Sequence, residues 1–289
     1  MISVEEGNGE KSTMDQQLIF LDIDGTLTEA GCNVPPDSAL TAVKRAQKRG
    51  HKVFLCTGRN YDMLKPLLQY GFDGVVASAG GYVRYEDEVI YDCPMTSKQQ
   101  RMAMDIFEEH DIFRTIECLD GSYTDESFKE YLRNMKNQPG SSELLRWREM
   151  VEKELNILPM SQYENQPVYK IVFMCENEKQ LIEPRAVLES EFEFCIQPSY
   201  GNGILNGELI NRKFDKGQGM EKICELMDKS MEDTIAFGDS MNDRAMMESA
   251  GISVCMADGA SEIKRMADDI CPAVTADGIY YAFMKYGLI

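Results

Sequence analysis

Leu18-Ile19-Phe20-Leu21-Asp22-Ile23-Asp24-Gly25-Thr26 is an apolar run that delivers two carboxylates, one residue apart, onto a glycine turn. A strand buried on both faces reads as continuous apolar sequence, and ligands in open α/β sheets bind just beyond the carboxyl ends of such strands. Asp22 and Asp24 therefore stand where chemistry is done in such a sheet. An isolated Asp-x-Asp also describes a surface acidic pair closing a strand, so its meaning depends on what the rest of the chain brings to the same place.

Moving outward, Asp37-Ser38 can cap a helix whose apolar residues Leu40, Val43 and Ala46 recur at helical spacing, closed by Lys48, Arg49 and Gly50. Val53 to Cys56 is a second short buried strand. Met63, Leu64, Leu67 and Leu68 mark another helix, in which Pro66 must sit in the first turn or cause a kink. The third strand is Gly74 to Ser78, and this alternation predicts a parallel sheet with crossover helices. Tyr82 to Tyr85 and Glu88 to Tyr91 then flank an acidic turn as a hairpin.

From Pro94 to Ser199 the rhythm is mixed: helical spacing at Met102, Ile106 and Phe107, strand-like runs at Tyr169 to Met174 and Phe192 to Ile196, and irregular polar sequence around Asn137 to Ser142. That stretch is long enough for a small α+β domain. The α/β rhythm resumes with a helix after Lys216, a strand Thr234 to Phe237, a helix through Met246 and Met247, a strand Ile252 to Cys255 and a final helix from Ile279 to Met284. The predicted fold class is α/β: a Rossmann-like doubly wound parallel sheet core, residues 17–93 and 200–289, interrupted by an inserted α+β domain at 94–199. Residues 1–16 are predicted to form a disordered tail.

Of the 289 residues, 43% are hydrophobic and 27% charged, as in an ordinary folded chain with a sizeable core. The net charge of -19 opposes binding to nucleic acid, which needs clustered Lys and Arg to displace counterions, and it disfavours anionic membrane surfaces equally. Like charges about 4 Å apart repel by roughly 4 kcal/mol at an effective dielectric near 20. A chain this acidic that handled a phosphate would therefore need a lysine and a divalent metal at the site. None of the nine cysteines forms a Cys-x-x-Cys pair, which argues against zinc ribbons and redox dithiols. Several lie inside apolar runs, as Cys56 and Cys255 do, and read as small buried hydrophobes of a reducing compartment. Two histidines, His51 and His110, leave little for a catalytic triad or a multi-histidine metal site. Met1 to Gln17 lacks both the basic start and the apolar stretch of a signal peptide, and no apolar run is long enough to cross a bilayer. The expected location is the cytoplasm.

Three further segments repeat the logic of the first. Cys56-Thr57-Gly58-Arg59 follows the second strand, bringing a hydroxyl and the N–H groups of a glycine turn that can hold phosphoryl oxygens. Phe237-Gly238-Asp239-Ser240-Met241-Asn242-Asp243 ends another strand in acid at a helix start. Lys216, in Asp215-Lys216-Gly217, precedes a helix. Each has a bland alternative: an ordinary Thr-Gly turn, a helix cap by Asp239 or Ser240, a solvated lysine.

Taken together and in this order, Asp22-x-Asp24-Gly25-Thr26, Thr57-Gly58-Arg59, Lys216-Gly217 and Gly238-Asp239-x-x-Asn242-Asp243 resemble the four motifs of the haloacid dehalogenase superfamily. The insertion between the second and third is similar to the cap of its class IIB, Cof-type phosphatases, and Thr275-x-Asp277-Gly278-Ile279 is typical of that group. Two loops depart from the pattern: Ser78-Ala79-Gly80-Gly81 stands where Asn-Gly is usual, and Ala257-Asp258-Gly259-Ala260 where Gly-Asn-Ala is frequent.

The resemblance implies an Mg²⁺-dependent phosphatase acting on a small phosphorylated metabolite, a sugar phosphate being the class in view. Asp22 would be the nucleophile, Asp24 the general acid and base, and Lys216 the charge partner of Asp22 and the phosphoryl oxygens. Thr57, Gly58, Lys216 and Asn242 would hold the phosphoryl group. The metal would take the Asp22 carboxylate, the Asp24 backbone carbonyl and the Asp239 carboxylate, with Asn242 and Asp243 orienting these groups and Lys216 rather than binding directly. Arg59 would either reach the substrate or support the structure near the cap hinge. The alternatives are a phosphotransferase or phosphomutase of the same family and a catalytically silent phosphometabolite-binding regulator. Arg114, Glu117, Tyr169 and Lys170, in the insertion, read as ordinary surface or strand residues.

Overall fold

The computed structural model describes residues 16–128, 130, 157–196 and 205–289. The chain opens with β1 (Leu18–Leu21), α1 (Asp37–Lys48), β2 (Lys52–Cys56), α2 (Tyr61–Leu68), β3 (Gly74–Ala77) and the hairpin β4 (Tyr82–Tyr85) and β5 (Glu88–Asp92). The inserted part comprises α3 (Ser97–Glu109), β6 (Phe113–Cys118), β7 (Gly121–Thr124), β8 (Ile157–Pro159), β9 (Val168–Cys175), α4 (Ile182–Leu188), β10 (Phe192–Ile196) and β11 (Leu205–Asn211). The chain then runs through α5 (Lys216–Leu226), β12 (Thr234–Gly238), α6 (Arg244–Ser249), β13 (Ile252–Met256), α7 (Ser261–Met266), β14 (Asp269–Cys271) and α8 (Gly278–Lys285).

One sheet has the order β14-β13-β12-β1-β2-β3-β4-β5, parallel from β14 to β3 and closed by the antiparallel β4–β5 hairpin. Because strand side chains alternate between faces, the apolar runs feed two separate cores. Ile19, Leu21, Val53, Leu55, Ile235 and Phe237 pack with α1, α2 and α8. Leu18, Phe20, Phe54, Cys56 and Ala236 pack with α5, α6 and α7, and the Phe20 and Phe54 rings stack 4.9 Å apart. This two-faced burial is why the strands read as unbroken hydrophobic sequence. From β1 the chain moves to β2 and β3 on one side, and later to β12, β13 and β14 on the other. The crevice at the carboxyl ends of β1 and β12 is therefore the topological switch point.

The second sheet, β10-β11-β9-β6-β7-β8, is largely antiparallel and carries α3 and α4 on one face through Ala103, Ile106, Phe107, Ile116, Ile171, Phe173, Leu188 and Leu209. The expected return to the first sheet at residue 200 comes later. Leu205–Asn211 still pairs with β9 and β10, and the chain re-enters the core at α5. A run such as Leu-Asn-Gly-Glu-Leu-Ile-Asn fits either sheet by pattern, so only partner strands assign it.

Smaller expectations also shift. The buried stripe of α1 is Ala39, Ala42, Val43 and Ala46, with Leu40 only half-buried beside it. Pro36 precedes that helix with no side-chain cap, and Ser38 donates instead to Asp277 Oδ1 at 2.5 Å. Pro66 lies in the second turn of α2, which ends two residues later, and the cap is Asn60, whose Oδ1 accepts the Met63 N–H at 3.1 Å. Six of the nine cysteines are buried, while Cys32, Cys93 and Cys195 are half-buried. His51 is buried just before β2 and accepts the Gln17 N–H. Of the predicted tail, residues 1–15 lie outside the described residues, as does the polar stretch at 137–142. Gln16 is described and donates to the Gly50 carbonyl at 2.6 Å. No helix among the described residues is long and apolar enough to cross a membrane.

Candidate active site

The first and fourth motifs arrive together because their strands are neighbours. β1 pairs with β12 residue for residue, Leu21 opposite Phe237, and the Asp22 N–H continues the ladder to the Phe237 carbonyl at 2.9 Å. Gly25 turns the chain with φ +86°, and a Cβ there would lie 2.6 Å from Asp239 Oδ2. Glycine is needed at that position for both reasons, since the turn must pass directly against the second carboxylate.

Lys216, the first residue of α5, is fully buried and is not the solvated lysine of the bland alternative. Asp215 caps the helix by accepting the Gln218 N–H at 2.7 Å, which fixes where Lys216 leaves the backbone. Its Nζ donates to Asp22 Oδ1 at 2.7 Å and Asp243 Oδ1 at 2.6 Å, with Asn242 Oδ1 3.5 Å away. Asp243 Oδ2 accepts the N–H groups of Asp239 and Ser240 at 2.9 and 3.0 Å. Both Asp243 oxygens are thus engaged by protein donors. By contrast, Asp239 Oδ1 is buried with no hydrogen-bond partner.

Carboxylate oxygens of Asp22, Asp239 and Asp243 lie within 4.8 Å of one another. One ammonium against three carboxylates leaves the cluster electron-rich. Burial, then the Asp243 charge, pushes the Asp22 carboxyl up to about 8 despite Lys216, and burial with Asp243 and Asp22 holds Asp239 well above the usual carboxylate range. Burial opposes the charged form of Lys216, but the Asp22 and Asp243 charges outweigh it and raise the ammonium well above the ordinary lysine value. An all-oxygen donor set with excess negative charge and one oxygen lacking a donor fits a hard divalent cation.

Thr57 is buried beyond β2, its N–H donating to the Val76 carbonyl at 2.8 Å and its Oγ1 accepting the Arg59 N–H at 3.1 Å. Asn242 Nδ2 approaches Gly58, at 3.5 Å from where a Cβ would stand. Arg59 is turned to Asp24, donating from Nε to Oδ2 at 2.8 Å and from Nη2 to Oδ1 at 2.7 Å, with both side chains buried. It also reaches Asn33 Oδ1 and the Cys32 carbonyl, and Asp24 Oδ1 accepts the Gly31 N–H at 2.8 Å. Asp22, Lys216, Asp239, Asn242 and Asp243 form one cluster. The Asp24 carboxylate, in contrast, is held by a neighbouring arginine.

The two departing loops pack against the backbone of residues that build the site. Ser78, Ala79 and Gly80 all have positive φ, and a Cβ on Gly80 would stand 2.1 Å from the Asp215 carbonyl oxygen, so this loop packs against the residue that caps α5. Ala260 N–H donates to the Asp239 carbonyl at 2.7 Å. Among the insertion residues, Arg114 pairs with Asp125 and Glu108, and Tyr169 donates to Asp92 Oδ1 at 2.6 Å. Glu117 in β6 and Lys170 in β9 are strand residues, as expected, but not surface ones. Both are wholly buried, together with Glu208, an acid that no motif or periodicity in the sequence singles out.

A sequence profile of haloacid dehalogenase-like hydrolases matches residues 19–283, and the chain belongs to that family. Bacillus subtilis YkrA is 27% identical over 282 residues, covering 96% of this chain and all of that protein. The Escherichia coli pyridoxal phosphate phosphatase YbhA is 24% identical, covering 92% and 97%. In three dimensions the subclass IIB sugar phosphatase BT4131 superposes with a TM-score of 0.74 at 21% identity, over 95% of this chain and all of that one. The inserted sheet is thus the cap and the larger sheet the hydrolase core.

Proposed function

We propose that this protein is an Mg²⁺-dependent phosphatase that hydrolyses a small phosphorylated metabolite through an aspartyl-phosphate on Asp22, with sugar phosphates as the substrate class. The carrying observation is the buried Lys216 ammonium shared by Asp22 and Asp243 beside an Asp239 oxygen that has no donor. A merely structural acidic pair would not be assembled at the switch point with its own lysine and an open carboxylate. The relatives named as phosphatases support phosphoric monoester chemistry. Burial of six cysteines as unpaired thiols is in keeping with a reducing, cytoplasmic setting.

In this reading an Asp22 oxygen attacks phosphorus, forming an acyl-phosphate bond as the bond to the ester oxygen breaks and Asp24 gives that oxygen a proton. Water then attacks phosphorus, Asp24 takes back a proton, and Asp22 leaves as a carboxylate while inorganic phosphate is released. Lys216 offsets negative charge on Asp22 and the phosphoryl oxygens, while Thr57, Gly58 and Asn242 hold the group in line. Asp22, the Asp24 carbonyl and Asp239 would hold Mg²⁺, with Asp243 keeping Asp239 and Lys216 in place. Bound Mg²⁺ would supply the positive charge the cluster lacks and polarise a phosphoryl oxygen. Arg59 holds the Asp24 carboxylate in place through two hydrogen bonds.

Phosphate release from a panel of sugar, nucleotide and cofactor monophosphates, with Mg²⁺ and with excess chelator, tests this reading. Metal-dependent release is expected from a small group of related esters. Release from none would favour a transferase awaiting its acceptor or a silent binding role.

A further inference from the structure

One face of the cap sheet carries Ile116, Ile171, Phe173 and Leu209 onto the cap helices. Alternation along β6, β9 and β11 puts Glu117, Lys170 and Glu208 on the opposite face, where each is no more than 2% exposed. Lys170 Nζ lies 3.1 Å from Glu117 Oε2 and bonds Glu208 Oε1, both from the cap. It also donates, at 2.6 Å, to the carbonyl oxygen of Gly58, which belongs to the core. The turn passes close against this cluster: a Cβ at residue 58 would stand 3.2 Å from Lys170 Nζ and 3.4 Å from Glu208 Oε1.

A buried ion cluster is a poor way to stabilise a fold, since apolar side chains of similar volume commonly do as well or better. The charge asks for another role, and the Gly58 peptide supplies one. That peptide is planar, so fixing the Gly58 carbonyl fixes the N–H of Arg59, and this N–H donates to Thr57 Oγ1 at 3.1 Å. An unbroken line of hydrogen bonds thus runs from the cap lysine to the hydroxyl of the phosphate turn, each polarising the next.

We propose that Lys170 is a positioning residue that acts from the cap: by holding the Gly58 peptide it sets the Thr57-Gly58 turn in its phosphate-binding shape only while the cap is seated, with Glu117 and Glu208 aiming the ammonium. This rests on the reading of that turn as the phosphoryl holder. Cap seating and assembly of the phosphate site are then one event, and the coupling is blind to the leaving group.

The test compares the full-length protein with Lys170→Arg and with the charge-balanced variant Lys170→Met/Glu117→Gln/Glu208→Gln, which leaves no buried carboxylate uncompensated. Amide hydrogen exchange read over residues 57–60 is expected to accelerate tenfold or more in the triple variant, while β1 keeps its protection. Unchanged protection there overturns the proposal. On p-nitrophenyl phosphate and on any sugar phosphate turned over, kcat/KM should fall by a similar factor for every ester, roughly ten- to a hundredfold, as expected for a misplaced reacting group. Lys170→Arg should recover part of it. A defect confined to some esters overturns the proposal by making Lys170 a leaving-group contact. If the wild type hydrolyses no ester, the phosphatase reading fails, and the exchange experiment still decides whether Lys170 holds the turn.

Discussion

Asp22 carries the largest consequences of any single residue. Its carboxyl is raised to about 8, by burial first and by Asp243 next, so in metal-free protein it is a charge that the fold resists. Asp22→Asn should therefore lower kcat by about 10³-fold or more, as loss of a nucleophile does, and raise the melting temperature in chelator. Activity near that of wild type would remove Asp22 from its assigned role. Arg59 behaves in the opposite sense. Removing one partner of a buried ion pair leaves the other uncompensated, so Arg59→Met should cost about 3 to 5 kcal/mol in denaturant unfolding, and an effect below 1 kcal/mol would mean that Asp24 finds another partner. The sequence left Arg59 undecided between substrate and support. Its pairing with Asp24 depends on how far β2 lies from the turn after β1, a distance that residue order does not encode.

At the scale of elements, the site is built from turns that follow strands and from the start of one helix, α5, and the loop after β3 decides where that helix begins. Gly80, at φ +104°, abuts the Asp215 carbonyl, so Gly80→Ala combines a left-handed backbone with a direct clash. It should cost about 1 to 3 kcal/mol and displace Lys216, lowering activity further than stability alone explains, which chemical denaturation and kinetics on the same sample will separate. Strands buried on both faces were legible because their side chains are apolar on either side, as in β1, β2 and β12. The cap was less so. Its strands β6, β7 and β11 carry buried Thr, Glu, Ser and Asn on the face turned away from the cap helices, and such alternation reads as a solvated surface.

For the whole molecule, the excess of carboxylates over lysine at the site links stability to pH and metal. The folded protein binds protons at Asp22 and Asp239 more tightly than the unfolded chain does, so unfolding releases protons and metal-free stability falls as pH rises from about 4 toward the raised Asp22 value near 8. Melting in chelator should therefore be higher near pH 5 than near pH 8. Added Mg²⁺ should raise it more at the higher pH, where the carboxylates are free to bind. A metal-free melting temperature that rose between those pH values would contradict the cluster's electrostatics.

The order of motifs, the two-faced strands and the presence of Asp22, Lys216 and Asp239 could all be read from the chain, because apolar periodicity and residue type are local properties. The pairing of Lys216 with both Asp22 and Asp243, the diversion of Asp24 to Arg59 and the reach of Lys170 across to Gly58 could not. Each joins groups separated by dozens to nearly two hundred residues, brought within hydrogen-bonding distance by strand pairing and helix packing on the first sheet for the first two, and by the packing of the second sheet upon the first for Lys170.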